Sequence, residues 1–199
     1  MEAITGDPAK LACMNEIWLV RHGETEWSRT GQHTGRTDLP LSEEGRRQAL
    51  RLAPRLSGET FDLVLTSPLQ RASTTAALAG FPTAKPCPDL MEWNYGDLEG
   101  LTSADIVTKY PDWTIWSGAV PNGETLEQVA ARANEALAHC QTAGRTVVFA
   151  HGHFLRVFAT QWLGINPRRG SLLGLSTASI SILGWEHSTR VIRSWNIAP

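Results

Sequence analysis

Three apolar runs in this chain end directly in polar clusters. "IWLV" (17–20) delivers Arg21, His22, Gly23 and Glu24 with no turn residue between. "FDLVLTSP" (61–68) ends in a polar turn followed by "LQR", and "RTVVFAHGH" (145–153) closes on His151, Gly152 and His153. Runs of this length and make-up read as buried strands. Helical patterns separate them. "LSEEGRRQALRLAPRL" (41–56) has Ser42 as cap, an acidic first turn, and Ala49, Leu52, Ala53 and Leu56 at helical spacing. Residues 69–80 read as a helix stopped by Gly80 and Pro82. Residues 123–141 carry Leu126, Val129, Ala130, Ala133 and Leu137 on one face, and 154–164 is the helix after the third run. Residues 81–101, rich in Pro and Gly, read as loop with one short strand, and 178–186 and 189–197 as a late antiparallel pair. This alternation requires an α/β protein, a layered αβα sandwich with a mostly parallel central sheet and helices on both faces. The ligand site of such a sheet lies beyond the carboxyl ends of its strands.

If the three strands are parallel neighbours, their ends bring Arg21, His22, Arg71, His151 and His153 to one spot. The formal net charge is −2, so no global basic field attracts nucleic acid or an anionic membrane, and an anion site must be local. Guanidinium groups grip phosphate oxygens in bidentate fashion. Gly23 and Gly152 are expected to let a phosphate approach the backbone, with the following helix aiming its amides at it. A neutral imidazole can attack phosphorus, and Arg21 and Arg71 disfavour imidazolium at His22. The leaving alkoxide needs a proton, for which the loop "LMEWNYGDLEG" (90–100) offers Glu92, Asp97 and Glu99. Bare chemistry does not choose among the three.

Cys13, Cys87 and Cys140 are widely spaced and odd in number, which argues against a disulfide framework or zinc ribbon and for a reducing cytoplasm. No apolar run approaches the length of a membrane span, and the amino-terminal residues lack the pattern of a secretory signal. Residues 1–15 read as a tail, with Met14 an alternative start, and 16–199 as a single domain.

"LVRHGETEW", "TSPLQRASTTA", "EWNYGDLEG" and "FAHGHFLR" occur in the order and spacing of the histidine phosphatase superfamily, and the chain resembles its phosphoglycerate-mutase-like branch over residues 17–184. The resemblance implies that His22 is the phosphorylated nucleophile. It implies that Arg21, Arg71 and His151 complete the phosphate pocket and that Glu92 is the proton donor and later the base for water. It places Thr25, Ser28, Thr34, Gly35, Tyr95, Gly152 and His153 against substrate. Ser28 and His153 stand where many members carry Asn, which bears on substrate identity rather than on the chemistry. The motifs look most like sedoheptulose-1,7-bisphosphatase-type sugar phosphatases and actinobacterial broad-specificity acid phosphatases.

The implied function is hydrolysis of a small phosphomonoester, a sugar phosphate or bisphosphate, with no cofactor and no metal. The chain is expected to act alone or as a homodimer in the cytoplasm, without nucleic acid or membrane. A cofactor-dependent mutase is the alternative. The short, cation-poor segment 101–128 argues against it, since a mutase must close over its intermediate and exclude water. A non-catalytic relative is the third reading, which the complete set His22, Arg21, Arg71, Glu92 and His151 disfavours. "HGH" alone is a weak metal signal. His33, His139 and His187 read as surface or loop residues, Asp97 and Glu99 as solvated charges or backbone caps, and Trp113 and Trp116 as lid residues, one of them a candidate to face substrate.

Overall fold

A computed structural model describes residues 15–199. The tail expected over 1–15 lies outside the described residues except for Asn15. Six strands form one sheet: β1 (Ile17–Arg21), β2 (Leu63–Thr66), β3 (Lys85–Pro86), β4 (Thr146–Ala150), β5 (Ile180–Glu186) and β6 (Thr189–Ile197), in the order β3-β2-β4-β1-β5-β6. β1, β2, β3 and β4 run parallel, and β5 and β6 add antiparallel to the free edge of β1. The expected αβα sandwich with a mostly parallel sheet is therefore what forms.

The apolar runs are continuous because both faces of the sheet are covered. Side chains alternate along β1, so Ile17 and Leu19 join one core with Leu137, Val148, Phe154 and Phe158, while Trp18 and Val20 join the other with Leu52, Leu56, Ala76 and Phe149. The covering helices are α2 (Glu43–Leu56) and α3 (Gln70–Leu78) on one side and α5 (Leu126–Gln141) and α6 (Gly152–Leu163) on the other. Ser42 caps α2 by accepting from the Gly45 amide at 3.0 Å, and Thr125 caps α5 in a reciprocal box with Gln128. Two short helices that sequence periodicity does not reveal, α1 (Glu26–Thr30) and α4 (Ser103–Lys109), carry capping boxes built on Thr25 with Ser28 and Thr102 with Asp105.

Register sets the strand ends level. Arg21 stands opposite Ala150, and Thr66 opposite Phe149. The His22 amide then donates to Ala150 O and the Ser67 amide to Phe149 O. His22, Ser67 and His151 thus leave the sheet side by side.

Candidate active site

Beyond these strand ends lies a cavity of about 210 Å³ lined by Arg21, His22, Ser28, Thr34, Glu92, Tyr95, Gly152 and His153, with Gly31, Gln32, His33, Ser103, Arg156 and Leu175 completing its wall. His22 is buried, and its Nδ1 lies 2.7 Å from Gly23 O. A carbonyl can only accept, so Nδ1 carries the proton and Nε2 keeps its lone pair. His151 takes the opposite tautomer. Arg71 Nε donates to its Nδ1 at 3.2 Å, so Nε2 carries the hydrogen and donates to Ser67 Oγ at 2.8 Å. The two rings are 5.2 Å apart between centroids. Burial, followed by the Arg71 and Arg21 charges, holds His22 well below the usual imidazole range. His151 is shifted the same way by burial, Arg71 and His22. The arginines act in the expected direction, but burial acts more strongly.

Arg21 donates through Nη1 to Leu175 O at 2.5 Å, while its buried Nε has no protein partner. A buried cationic donor left unpaired is costly unless an anion comes to it. Its guanidinium lies against Gly152, where an added Cβ would sit 3.3 Å from Cζ and Nε.

The structure places the expected residues at different depths. Arg71 and His151 are fully buried at the back of the site. Arg71 spends its other donors on Thr37 O (2.9 Å), Gly35 O (2.8 Å) and Thr34 O (3.2 Å). It stands behind the nucleophile and fixes both His151 and the 34–37 loop. Thr25 and Gly35 are outside the cavity lining: Thr25 is buried in the α1 capping box, and a Cβ at Gly35 would approach Trp93 O to 2.5 Å. Ser28 does line the cavity but also serves that box. Gly23 is required by close packing on α2, since its added Cβ would meet Gly45 O at 2.3 Å. The amides of His153 and Phe154 are not open to an anion. Glu92 occupies them, accepting from His153 N at 3.1 Å and Phe154 N at 2.8 Å, and from Trp93 N at 2.9 Å. His33, expected as a surface or loop residue, does lie in a loop but is buried in the wall rather than at the surface, edge-on to Tyr95 and Trp113 and stacked on His153. Neither Trp113 nor Trp116 lines the cavity; Trp116 packs behind His153 and under the Arg156 guanidinium.

Three residues support the site from behind: Glu99, expected as a solvated charge or backbone cap and found to be a cap, and Arg132 and Glu124, which carry no sequence signal of their own. Glu99 accepts from the amides of Gly35, Arg36 and Thr37, and so holds the loop whose carbonyls hold Arg71. Arg132 donates to Asp89 O at 2.7 Å and Met91 O at 2.6 Å, which fixes the approach to Glu92. Glu124 pairs with Arg132 at 2.9 Å; burial opposes its ionisation, but the Arg132 hydrogen bonds prevail and its pKa is lowered.

His153, beside the Tyr95 hydroxyl at 2.6 Å, is also held well below the ordinary imidazole range, by burial and then by Arg156. The three depressed histidines make stability depend on pH with a definite sign. Unfolded imidazoles protonate near 6.5, and the folded ones only well below it. Below that pH the unfolded chain binds protons that the folded pocket refuses, so stability falls as pH falls, by up to about 1.4 kcal/mol per unit for each histidine. Above 6.5 the contribution is flat. Thermal melts between pH 7.5 and 5 should show this decline, and His153→Asn should make it shallower; an unchanged slope in that variant would contradict the assignment.

The profile of the histidine phosphatase superfamily (branch 1) matches residues 17–198, and the chain belongs to that superfamily. It is 42% identical to an acid phosphatase of Mycobacterium tuberculosis over 182 residues, 88% of this chain and 89% of the relative. It is 36% identical to a sedoheptulose 1,7-bisphosphatase of Saccharomyces cerevisiae over 185 residues, 76% of this chain and 68% of the relative. A solved structure of an open reading frame product from M. tuberculosis superposes with a TM-score of 0.88 at 37% identity, covering 92% of this chain and 98% of that one. The chain is accordingly a phosphoric monoester hydrolase of this superfamily.

Proposed function

We propose that the protein hydrolyses a small phosphomonoester, a sugar phosphate or sugar bisphosphate, through a phosphohistidine at His22. The observation that carries this reading is the fixed tautomer of His22: its Nδ1–H is spent on Gly23 O, which leaves Nε2 as a neutral nucleophile in a cavity wall beside Arg21. His22 Nε2 attacks phosphorus and the ester P–O bond breaks. Glu92 gives its proton to the leaving alkoxide. Water then attacks the phosphoryl group, Glu92 takes its proton, the P–N bond breaks, and phosphate leaves with His22 restored. Arg21 meets the charge on the equatorial oxygens, and Arg71 and His151 hold the nucleophile's surroundings.

A cavity of about 210 Å³ lies below the roughly 300–1,000 Å³ of sites for drug-sized ligands. Its outer wall offers Ser28, Gln32, Ser103 and the guanidinium of Arg156, polar groups suited to sugar hydroxyls and a second anionic group. Segment 101–125 packs Ile106, Trp113 and Ile115 into the core and brings no arginine to the cavity, which favours hydrolysis over a mutase cycle. Cys87 and Cys140 are free thiols, in keeping with a cytoplasmic setting, and no helix among the described residues is long and apolar enough to cross a membrane. A screen of phosphorylated metabolites, with and without a bisphosphate primer, tests the reading. It should release free phosphate without primer and yield no isomerised phosphoglycerate; primer-dependent isomerisation would overturn it.

Arginines supply the positive charge that a metal would otherwise bring to phosphoryl transfer. Turnover should therefore be unchanged after exhaustive EDTA treatment. A loss restored by magnesium would refute the proposed site.

A further inference from the structure

Among the described residues, one group of side chains has metal-ligand spacing, and it is not the strand-end histidine pair. Cys87, Asp89 and His139 place one sulfur, one carboxylate oxygen and one imidazole nitrogen all within 4.8 Å of one another. Cys87 is buried at the end of β3, where its amide donates to Thr66 O at 2.8 Å, and it caps the 3₁₀ turn Pro88–Leu90. Asp89 sits in that turn. His139 is exposed in the last turn of α5. Residues 52 positions apart in sequence thus face one another because the turn after β3 packs on α5.

We propose that these three residues form a zinc site that fastens the turn before Glu92 to the carboxyl end of α5. A thiolate, an imidazole and a carboxylate are ligands zinc accepts together, and the sulfur and nitrogen disfavour magnesium and calcium. Bonds of about 2.0–2.3 Å in a tetrahedron require ligand atoms roughly 3.5 Å apart, so modest side-chain rotation closes the shell, with water in the fourth position. His139 is exposed and free to make that rotation. On binding, the Cys87 S–H bond is exchanged for an S–Zn bond and one proton passes to solvent; no electron moves.

The placement gives the ion something to do. Arg132 and His139 are seven residues apart on α5, two turns, and so lie on one face. Arg132 already holds Asp89 O and Met91 O. Zinc at His139 would tie down the same turn a second time, from its β3 side, three residues ahead of Glu92. The site takes no part in phosphoryl transfer and serves stability.

The test is zinc binding to the full chain, stripped with chelator, kept reduced with a phosphine and assayed by competition with a chromogenic zinc chelator. One zinc per chain is expected. His139→Ala and Asp89→Asn should each weaken it by about 100-fold. Zinc should raise the melting temperature of the wild type and leave that of His139→Ala unmoved, while the metal-free melting temperatures of the two agree. Because the binding assay uses no substrate, its failure would leave the phosphatase reading untouched, and the reverse. Absence of stoichiometric zinc in the wild type would overturn the proposal. So would zinc affinity that survives His139→Ala and Asp89→Asn but is lost in His22→Ala, which would assign the ion to the phosphate pocket.

Discussion

His22→Ala should abolish turnover and the acid-labile phosphoenzyme together, with a loss of about 10⁴-fold or more, because a nucleophile and its pocket act as one unit. Inorganic phosphate or vanadate should still bind. Arg21 keeps its unpaired Nε, and Arg71 and His151 are tied to Thr34, Gly35, Thr37 and Ser67 rather than to the lost ring. The variant therefore separates capture of the anion from chemistry on it. Phosphate trapped on another residue, or substantial activity in the variant, would exclude the covalent route through His22.

Glu92→Gln should show a defect that depends on the leaving group. A sugar phosphate leaves as an alkoxide and needs the proton, and its turnover should fall by about 10²-fold or more. p-Nitrophenolate scarcely needs one, so its loss should be much smaller. The contrast matters because Glu92 also accepts three backbone amides, and a Gln amide group facing one of them would disturb the loop. A purely structural role would depress both substrates alike, and equal losses would remove Glu92 as the acid. Glu99→Gln is the matching control. Its carboxylate grips the 35–37 amides, so any loss should be the same for both substrates. Asp97, paired with Asn122 on the exposed side, should be mild as Asn.

Much of this arrangement was legible beforehand because strand ends announce themselves. An apolar run that stops at Arg21–His22, or at His151, has no reason to do so unless the polar residues are wanted there, and the parallel register then brings them together. Helices with a cap and a clear apolar face, at 43–56 and 126–141, were readable for similar reasons. The helices at 26–30 and 103–109 were not, since neither is long enough to show a period; only Thr25–Ser28 and Thr102–Asp105 mark them. The supporting shell was hidden for a different reason. Glu124 and Arg132 look like ordinary surface charges in the sequence, and only the fold shows them gripping backbone, while Glu99 is open to reading as a backbone cap but not as the cap of the 35–37 loop. The fold also shows why two glycines stand in these loops: a Cβ at Gly96 would meet Pro121 O at 2.1 Å, and at Gly123 Asn94 O at 2.4 Å, because the two loops are in contact. Arg71 is drawn to the site by its place after β2, and only the fold shows its donors also holding His151 Nδ1 and the carbonyls of Thr34, Gly35 and Thr37.

The neutral state of the pocket's histidines has a consequence for how substrate is captured. With His22, His151 and His153 uncharged through the neutral range, the attraction an incoming phosphate meets comes from guanidinium groups, which keep their charge throughout. Around neutrality these three rings therefore do not vary the pull on the anion, whereas the ligand does change charge, its second ionisation lying near pH 6. The monoanion–dianion ratio of the ester thus bears directly on its capture.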